Sequence, residues 1–155
     1  MSSNFFSQQD LARRNTRILV LLFSLAGLAL GGGGETLQRA IAAGGSSLSA
    51  VTVGEIQFGI ERMALGPKRN RLQLWFDQLC RDFEERILVT DETVWRTWSR
   101  LRVSCQVIGR PQADLDLLIA ATAATHQLPL VTRNTRHFED TGIRLVNPWA
   151  DSPSV

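Results

Sequence analysis

The 155-residue chain is 44% apolar and 21% charged, which suits one compact globular domain and excludes a disordered or fibrous chain. A formal charge of +2 excludes a globally basic nucleic-acid binder, so any basic surface must be local. Cys80 and Cys105 stand alone, outside any metal-type spacing, and fit a reducing cytosol better than a disulfide scaffold.

Residues 1–16 are polar and read as a loose N-terminal segment. Arg13, Arg14 and Arg17 then precede ILVLLFSLAGLAL and GGGG, which is the grammar of a signal peptide. The apolar run is too short for an ordinary spanning helix, and a buried strand, RILVLLF, is the preferred reading. Gly31–Gly34 and Gly44–Gly45 break the chain, with ETLQRAIAA between them as a short helix candidate. Ser47–Ser49 reads as a short strand. Thr52 is expected to open the next helix. T-V-G-E reads as a capping box, in which the Thr52 hydroxyl accepts from a backbone N–H and Glu55 reaches back.

Ile56, Ile60 and Met63 recur near the helical period until Gly66-Pro67 ends the run. Lys68–Glu85 reads as an amphipathic helix with Leu72, Trp75, Phe76, Leu79 and Phe83 on one face. Ile87–Val89 is a short strand. Asp91 is a cap for a helix carrying Val94, Trp98, Leu101 and Val107. After a break at Gly109–Pro111, a small, apolar helix runs from Asp114 to His126. LPLVT is a buried strand, TRNTRHFEDTG a loop with a helical turn, and IRLVNPW a last strand. The reading is a single domain over residues 17–150 with a tail at 151–155.

Strands alternating with helices imply an α/β fold with a central, mainly parallel sheet flanked by helices. Functional groups then gather beyond the carboxyl ends of the strands. Asn134 follows a strand there, and Glu55 and Asp116 lie near helix starts, so these distant residues can converge. Asp114 and Asp116 are two positions apart and point to different sides of a helix. Asp114 reads as the N-cap; Asp116 is either a second dipole residue or a site residue. Asn134 is either a site residue or a turn residue tolerating a left-handed backbone.

TVGEIQFGIERM, followed by DLLIAATAATHQLPLVTRNTRHFEDTGIRLVNPW, resembles the PIN domain of VapC-type toxins, the ribonuclease halves of bacterial type II toxin–antitoxin pairs. The resemblance spans roughly residues 47–150 and rests on the order of its motifs: the acid after a strand-to-helix turn, the D-x-L-I-A-A-T-A helix, and the T-R-N-T-x-x-F loop. It implies a PIN-like fold and a Mg²⁺- or Mn²⁺-dependent endoribonuclease cleaving RNA phosphodiester bonds. It also implies a homodimer and a VapB-type antitoxin whose tail runs over the active-site groove. Glu55 matches the family's second acid, Asp116 the third, and Asn134 a fourth polar or acidic position; Thr132 precedes it and could face the site. Glu55 and Asp116 are thus the implied metal ligands, with Arg133, Arg136 and Thr132 as substrate contacts.

The family's first acid ends a strand usually read L-L-D-T-N. Here no acid occurs from Thr16 through Gly34, and Ser24 stands near the expected position. Either the chain is a degenerate member, or residues 1–45 come from an altered start or frame. Mg²⁺ takes one or two carboxylates plus waters and phosphates, so Glu55 and Asp116 meet the minimum if they converge, with weakened cation binding and reduced or absent catalysis. The alternative is an inactive PIN-fold protein that keeps antitoxin or RNA binding. Two carboxylates that close also repel, so one should have a raised pKa without metal.

Arg62, Lys68, Arg69 and Arg71 could meet RNA phosphates, but a solvated helix face is preferred. Trp75, Trp95, Trp98 and Trp149 could stack on bases; core or interface packing is preferred. His126 ends a helix and complements its dipole. His137 lies in the loop after Asn134, and two lone histidines make a weak zinc case. The expected location is cytoplasmic, without membrane insertion; a secreted or anchored protein led by residues 13–30 is the minor alternative.

Overall fold

The computed structural model describes residues 18–20 and 45–147. Residues 1–16, Ser24, the ETLQRAIAA helix candidate, Trp149 and the tail lie outside that range. Five short parallel strands form one sheet: β1 (Ile18–Val20), β2 (Ser46–Ser49), β3 (Ile87–Leu88), β4 (Leu130–Val131) and β5 (Leu145–Val146), in the order β3-β2-β1-β4-β5. β1 is central, with Val20 aligned to Leu48 on one side and Val131 on the other. The strand reading of RILVLLF therefore holds over Ile18–Val20.

Among the described residues the helices are α1 (Ala50–Glu61), α2 (Pro67–Asp82), α3 (Glu92–Val107) and α4 (Asp114–Thr125). Four buried residues, Ser46–Ser49, run straight into α1. The chain then returns through α2 to the edge strand β3. From that edge, α3 and α4 carry it across the sheet to β4. Because all strands are parallel, α1 starts at their carboxyl end. α4 returns to β4 through a short turn, so it runs against the strands and its N-terminus lies at the same end. Glu55, Asp116 and the segment after β4 are thereby gathered on one side, where an open parallel sheet places its ligands.

α4 explains much of the packing. Asp116 through Ala123 are all buried, so the body of this helix has no solvent face. Ala120, Ala121 and Ala123 are fully buried, and such small side chains let a backbone approach its neighbours closely. The one hydroxyl in this stretch is internally satisfied, since Thr122 Oγ1 donates to the Leu118 carbonyl at 2.8 Å. Leu118 and Ala121 pack with Val94 of α3, while Ile119, Ala120 and Ala123 pack with Leu130 and Phe138. A second core joins Leu48, Ile56, Ile60, Phe76, Leu79 and Phe83. The expected apolar faces of α1 and α2 therefore hold, except that Met63 is half-exposed.

Several boundaries differ from the sequence reading. The cap of α1 is Ser49, whose Oγ accepts from Val51 N at 3.2 Å. Thr52 instead lies inside the first turn, and its buried hydroxyl has no hydrogen-bond partner. The capping box is absent because the strand delivers Ser49, not Thr52, to the first free N–H groups. α2 starts at Pro67, whose missing N–H costs nothing at a helix start. It ends at Asp82, and a 3₁₀ turn (Glu84–Arg86) leads into β3. Asp91 is the expected cap of α3, accepting from Val94 N at 2.9 Å. Val107 is 81% exposed and does not belong to the buried face of α3.

At α4 the cap position is held by Ala113, without a side-chain hydrogen bond. Asp114 is the first helical residue and forms an ion pair with Arg102 of α3, which draws its carboxylate away from the helix end. His126 is the residue that closes α4. Trp75 and Trp98 pack on the two cores, and Trp95 sits edge-on to Trp98. Cys80 and Cys105 are free thiols, and burial pushes both up, keeping them protonated. Among the described residues no helix is long and apolar enough to cross a membrane.

Candidate functional site

Glu55 lies in the second turn of α1, half-buried. With Ser49 as the cap, its carboxylate is released from the capping role. Asp116 lies in the first turn of α4 and is only 7% exposed. The two acids meet electrostatically. Burial pushes the Glu55 carboxyl above its ordinary range, and the negative charge of Asp116 pushes it further. Burial likewise raises the Asp116 carboxyl, against the charge and hydrogen bond of His137, which lower it. Desolvation thus outweighs both the histidine and the favourable end of the helix dipole.

His137 stands at the end of a 3₁₀ turn, Thr135–His137, in the loop after β4. Its Nδ1 is 2.9 Å from Asp116 Oδ2. Thr132, fully buried, anchors the start of that loop: its Oγ1 accepts from Asn134 N at 3.1 Å. Asn134 has φ −98°, so it is not the left-handed turn residue considered from sequence. It is half-buried, and its side chain does not cap the following turn. Phe138, fully buried, pins the far side of the loop.

Glu55 and Asp116 therefore come together, and the loop carrying Thr132, Asn134 and His137 reaches Asp116. Arg133 and Arg136 are exposed on the same loop and form no ion pair among the described residues. Arg62 and Arg69 serve local structure instead. The Arg62 guanidinium lies 5.6 Å from the Phe58 ring centroid, and Arg69 Nη1 donates to the Met63 carbonyl at 3.3 Å. His137 was missed as a site residue by sequence reasoning. Its only sequence signal is its place three residues past Asn134 and just before an apolar anchor, Phe138.

The donor set is compatible with a hard divalent cation. Two carboxylates are enough for Mg²⁺ when water and phosphate complete the shell, and desolvation together with their mutual repulsion favours such a charge between them. Among the described residues, no three or more His, Cys, Asp and Glu side chains gather as a fuller metal cluster.

The PIN domain model matches residues 32–143. The chain belongs to the PIN-domain family. It is 36% identical over 105 residues to the toxin FitB of Neisseria gonorrhoeae, covering 67% of this chain and 76% of that protein. It is 34% identical over 106 residues to the VapC ribonuclease Y4jK of Sinorhizobium fredii, covering 66% of this chain and 74% of that one. The crystal structure of FitAcB from Neisseria gonorrhoeae superimposes with a TM-score of 0.74 at 29% identity, over 86% of this chain and 99% of that chain. The likeness to VapC-type PIN toxins and the PIN-like α/β fold, both expected from sequence, hold.

Proposed function

We propose that this PIN domain is the toxin of a toxin–antitoxin pair and acts as a Mg²⁺- or Mn²⁺-dependent endoribonuclease on RNA phosphodiester bonds. The observation that carries the proposal is the Glu55–Asp116 pair. Half-buried Glu55 and buried Asp116, both with raised pKa values, interact electrostatically at the carboxyl end of a parallel sheet. Relatives named as VapC ribonucleases are 34% and 30% identical over 106 and 101 residues. Glu55 and Asp116 would hold the cation. When bound, it supplies positive charge to a phosphate oxygen and makes a water more acidic.

The remaining work falls to the chain itself. Asp116 is kept in place by burial and by His137. Thr132 fixes the backbone of the Asn134 loop, leaving Asn134 at the site's edge to orient substrate or water. Arg133 and Arg136 project from that loop and would hold RNA phosphates by charge, so binding should weaken as salt rises. An antitoxin of the VapB type is the proposed partner, in keeping with a solved relative from Mycobacterium tuberculosis described as a member of the VapBC family of toxin-antitoxin systems. A homodimer and a cytoplasmic location belong to the same reading.

A second reading is favoured by one observation. Only two acids meet among the described residues, without a fuller cluster. A chain with so little negative charge could keep the fold and its antitoxin or RNA binding while cleaving RNA slowly or not at all. Incubating the full chain with single-stranded RNA in Mg²⁺ and in EDTA separates the two. Metal-dependent cleavage supports the nuclease. Metal-independent cleavage contradicts the metal role. RNA binding without cleavage supports the inactive reading.

A further inference from the structure

We propose that His137 is a positioning residue for Asp116: its Nδ1–H holds Oδ2 so that the other carboxylate oxygen is left for the cation. The inference rests on the Glu55–Asp116 metal reading above and adds a residue to it.

Asp116 is nearly inaccessible to water, and a buried carboxylate needs hydrogen bonds to stay in one orientation. The carboxylate that holds a cation is ionised and only accepts, so in that state the 2.9 Å contact requires the tautomer that donates from Nδ1. The donor comes from 21 positions away in sequence, on a different element, so helix formation alone does not supply it. That element is well fixed. Phe138, the next residue, is fully buried, its N–H donates to the Thr135 carbonyl at 2.9 Å, and its carbonyl accepts from Thr141 Oγ1 at 2.5 Å.

The histidine side chain is itself 47% exposed. A ring recruited for packing would be buried; this one touches the interior through Nδ1 and leaves much of its surface to solvent. Its removal should therefore alter the carboxylate more than the fold. Partners that orient a ligating carboxylate typically contribute roughly 10–100-fold to metal affinity.

The test is a titration of the full chain with Mn²⁺ alone, reading free Mn²⁺ by electron paramagnetic resonance, beside metal-free thermal melts. The variants are Asp116→Asn, His137→Ala, His137→Gln and His137→Asn. An asparagine amide can place its N–H near the position of Nδ1, whereas glutamine places it near Nε2. The expected result is that Asp116→Asn abolishes binding and that His137→Ala and His137→Gln weaken it by roughly 10–100-fold. His137→Asn should stay near wild type, and the melting temperatures should be similar. If His137→Ala melts early, the Asn and Gln variants carry the comparison. Equal Mn²⁺ affinity in all three His137 variants and wild type overturns the proposal and leaves the acid pair standing. Absent binding by wild type, or unchanged binding by Asp116→Asn, overturns the metal reading itself and the proposal with it.

Discussion

Asp114 and Asp116 belong to the same turn of the same helix, yet their surroundings differ at every point. Asp114 faces solvent and is paired with Arg102, itself part-exposed and lying over the Trp98 ring. Asp116 is buried, faces Glu55, and has a histidine as its named partner. The first arrangement satisfies a charge cheaply at a surface. The second keeps a carboxyl where its ionised form is disfavoured, which a fold alone has no reason to do. Two positions along a helix are enough to separate a structural acid from a functional one, because the side chains diverge by more than half a turn.

The comparison breaks most sharply on activity. Asp116→Asn should lower Mg²⁺-dependent RNA cleavage by about a thousandfold or more, several kcal/mol of lost charge stabilisation. Asp114→Asn should stay within about twofold and change stability by less than about 1 kcal/mol, as expected of a surface ion pair. Steady-state cleavage of one RNA by both variants checks this, and equal losses would erase the distinction. Next in size is the body of the same helix. Ile119→Ala should destabilise the protein by about 2–5 kcal/mol, because the buried helix cannot close the void. Urea unfolding measures it.

Glu55 sharpens the comparison through pH. Its carboxyl is raised by burial and by Asp116, so the folded state holds that proton more tightly than the unfolded state does. Below the ordinary carboxylate pKa both states are protonated and no penalty exists. As pH rises through the raised value, the folded state loses stability relative to an unperturbed acid. Glu55→Gln should therefore raise the melting temperature of the metal-free protein at neutral pH, and the gain should vanish near pH 4. A gain that persists at acid pH would point to packing instead of charge. The smallest effect lies at the opposite end of α4. Gln127 has φ 54°, a left-handed conformation that favours glycine, so Gln127→Gly should stabilise by about 0.5–1 kcal/mol in thermal or urea melts, without altering cleavage.

The alternation of strands and helices was legible because each element carries its own period, and α4 was legible because its buried stretch is nearly all small or apolar, broken only by Asp116 and Thr122. The convergence of Glu55 and Asp116 was legible only through sheet topology and family likeness; neither acid's local sequence demands it. The Asp91 cap was legible and holds, whereas the Thr52 and Asp114 caps failed because tertiary contacts decide them. Ser49 and Thr52 offer equivalent hydroxyls, and the depth to which β2 is buried decides between them. Asp114 resembles a cap until Arg102, on another helix, claims it. Val107 fits the period of α3 but lies beyond the surface that α4 covers. His137 was least legible, since its role depends on a contact with a residue 21 positions earlier. The order of the strands was not readable at all, because short parallel strands carry little information about their neighbours.

The central claim is that Glu55 and Asp116 form one cation site. Anomalous diffraction from crystals soaked in Mn²⁺ tests it most directly. A single peak within bonding distance of both carboxylates is the predicted result. Mn²⁺ bound elsewhere, with the two carboxylates unliganded at saturating metal, would contradict it.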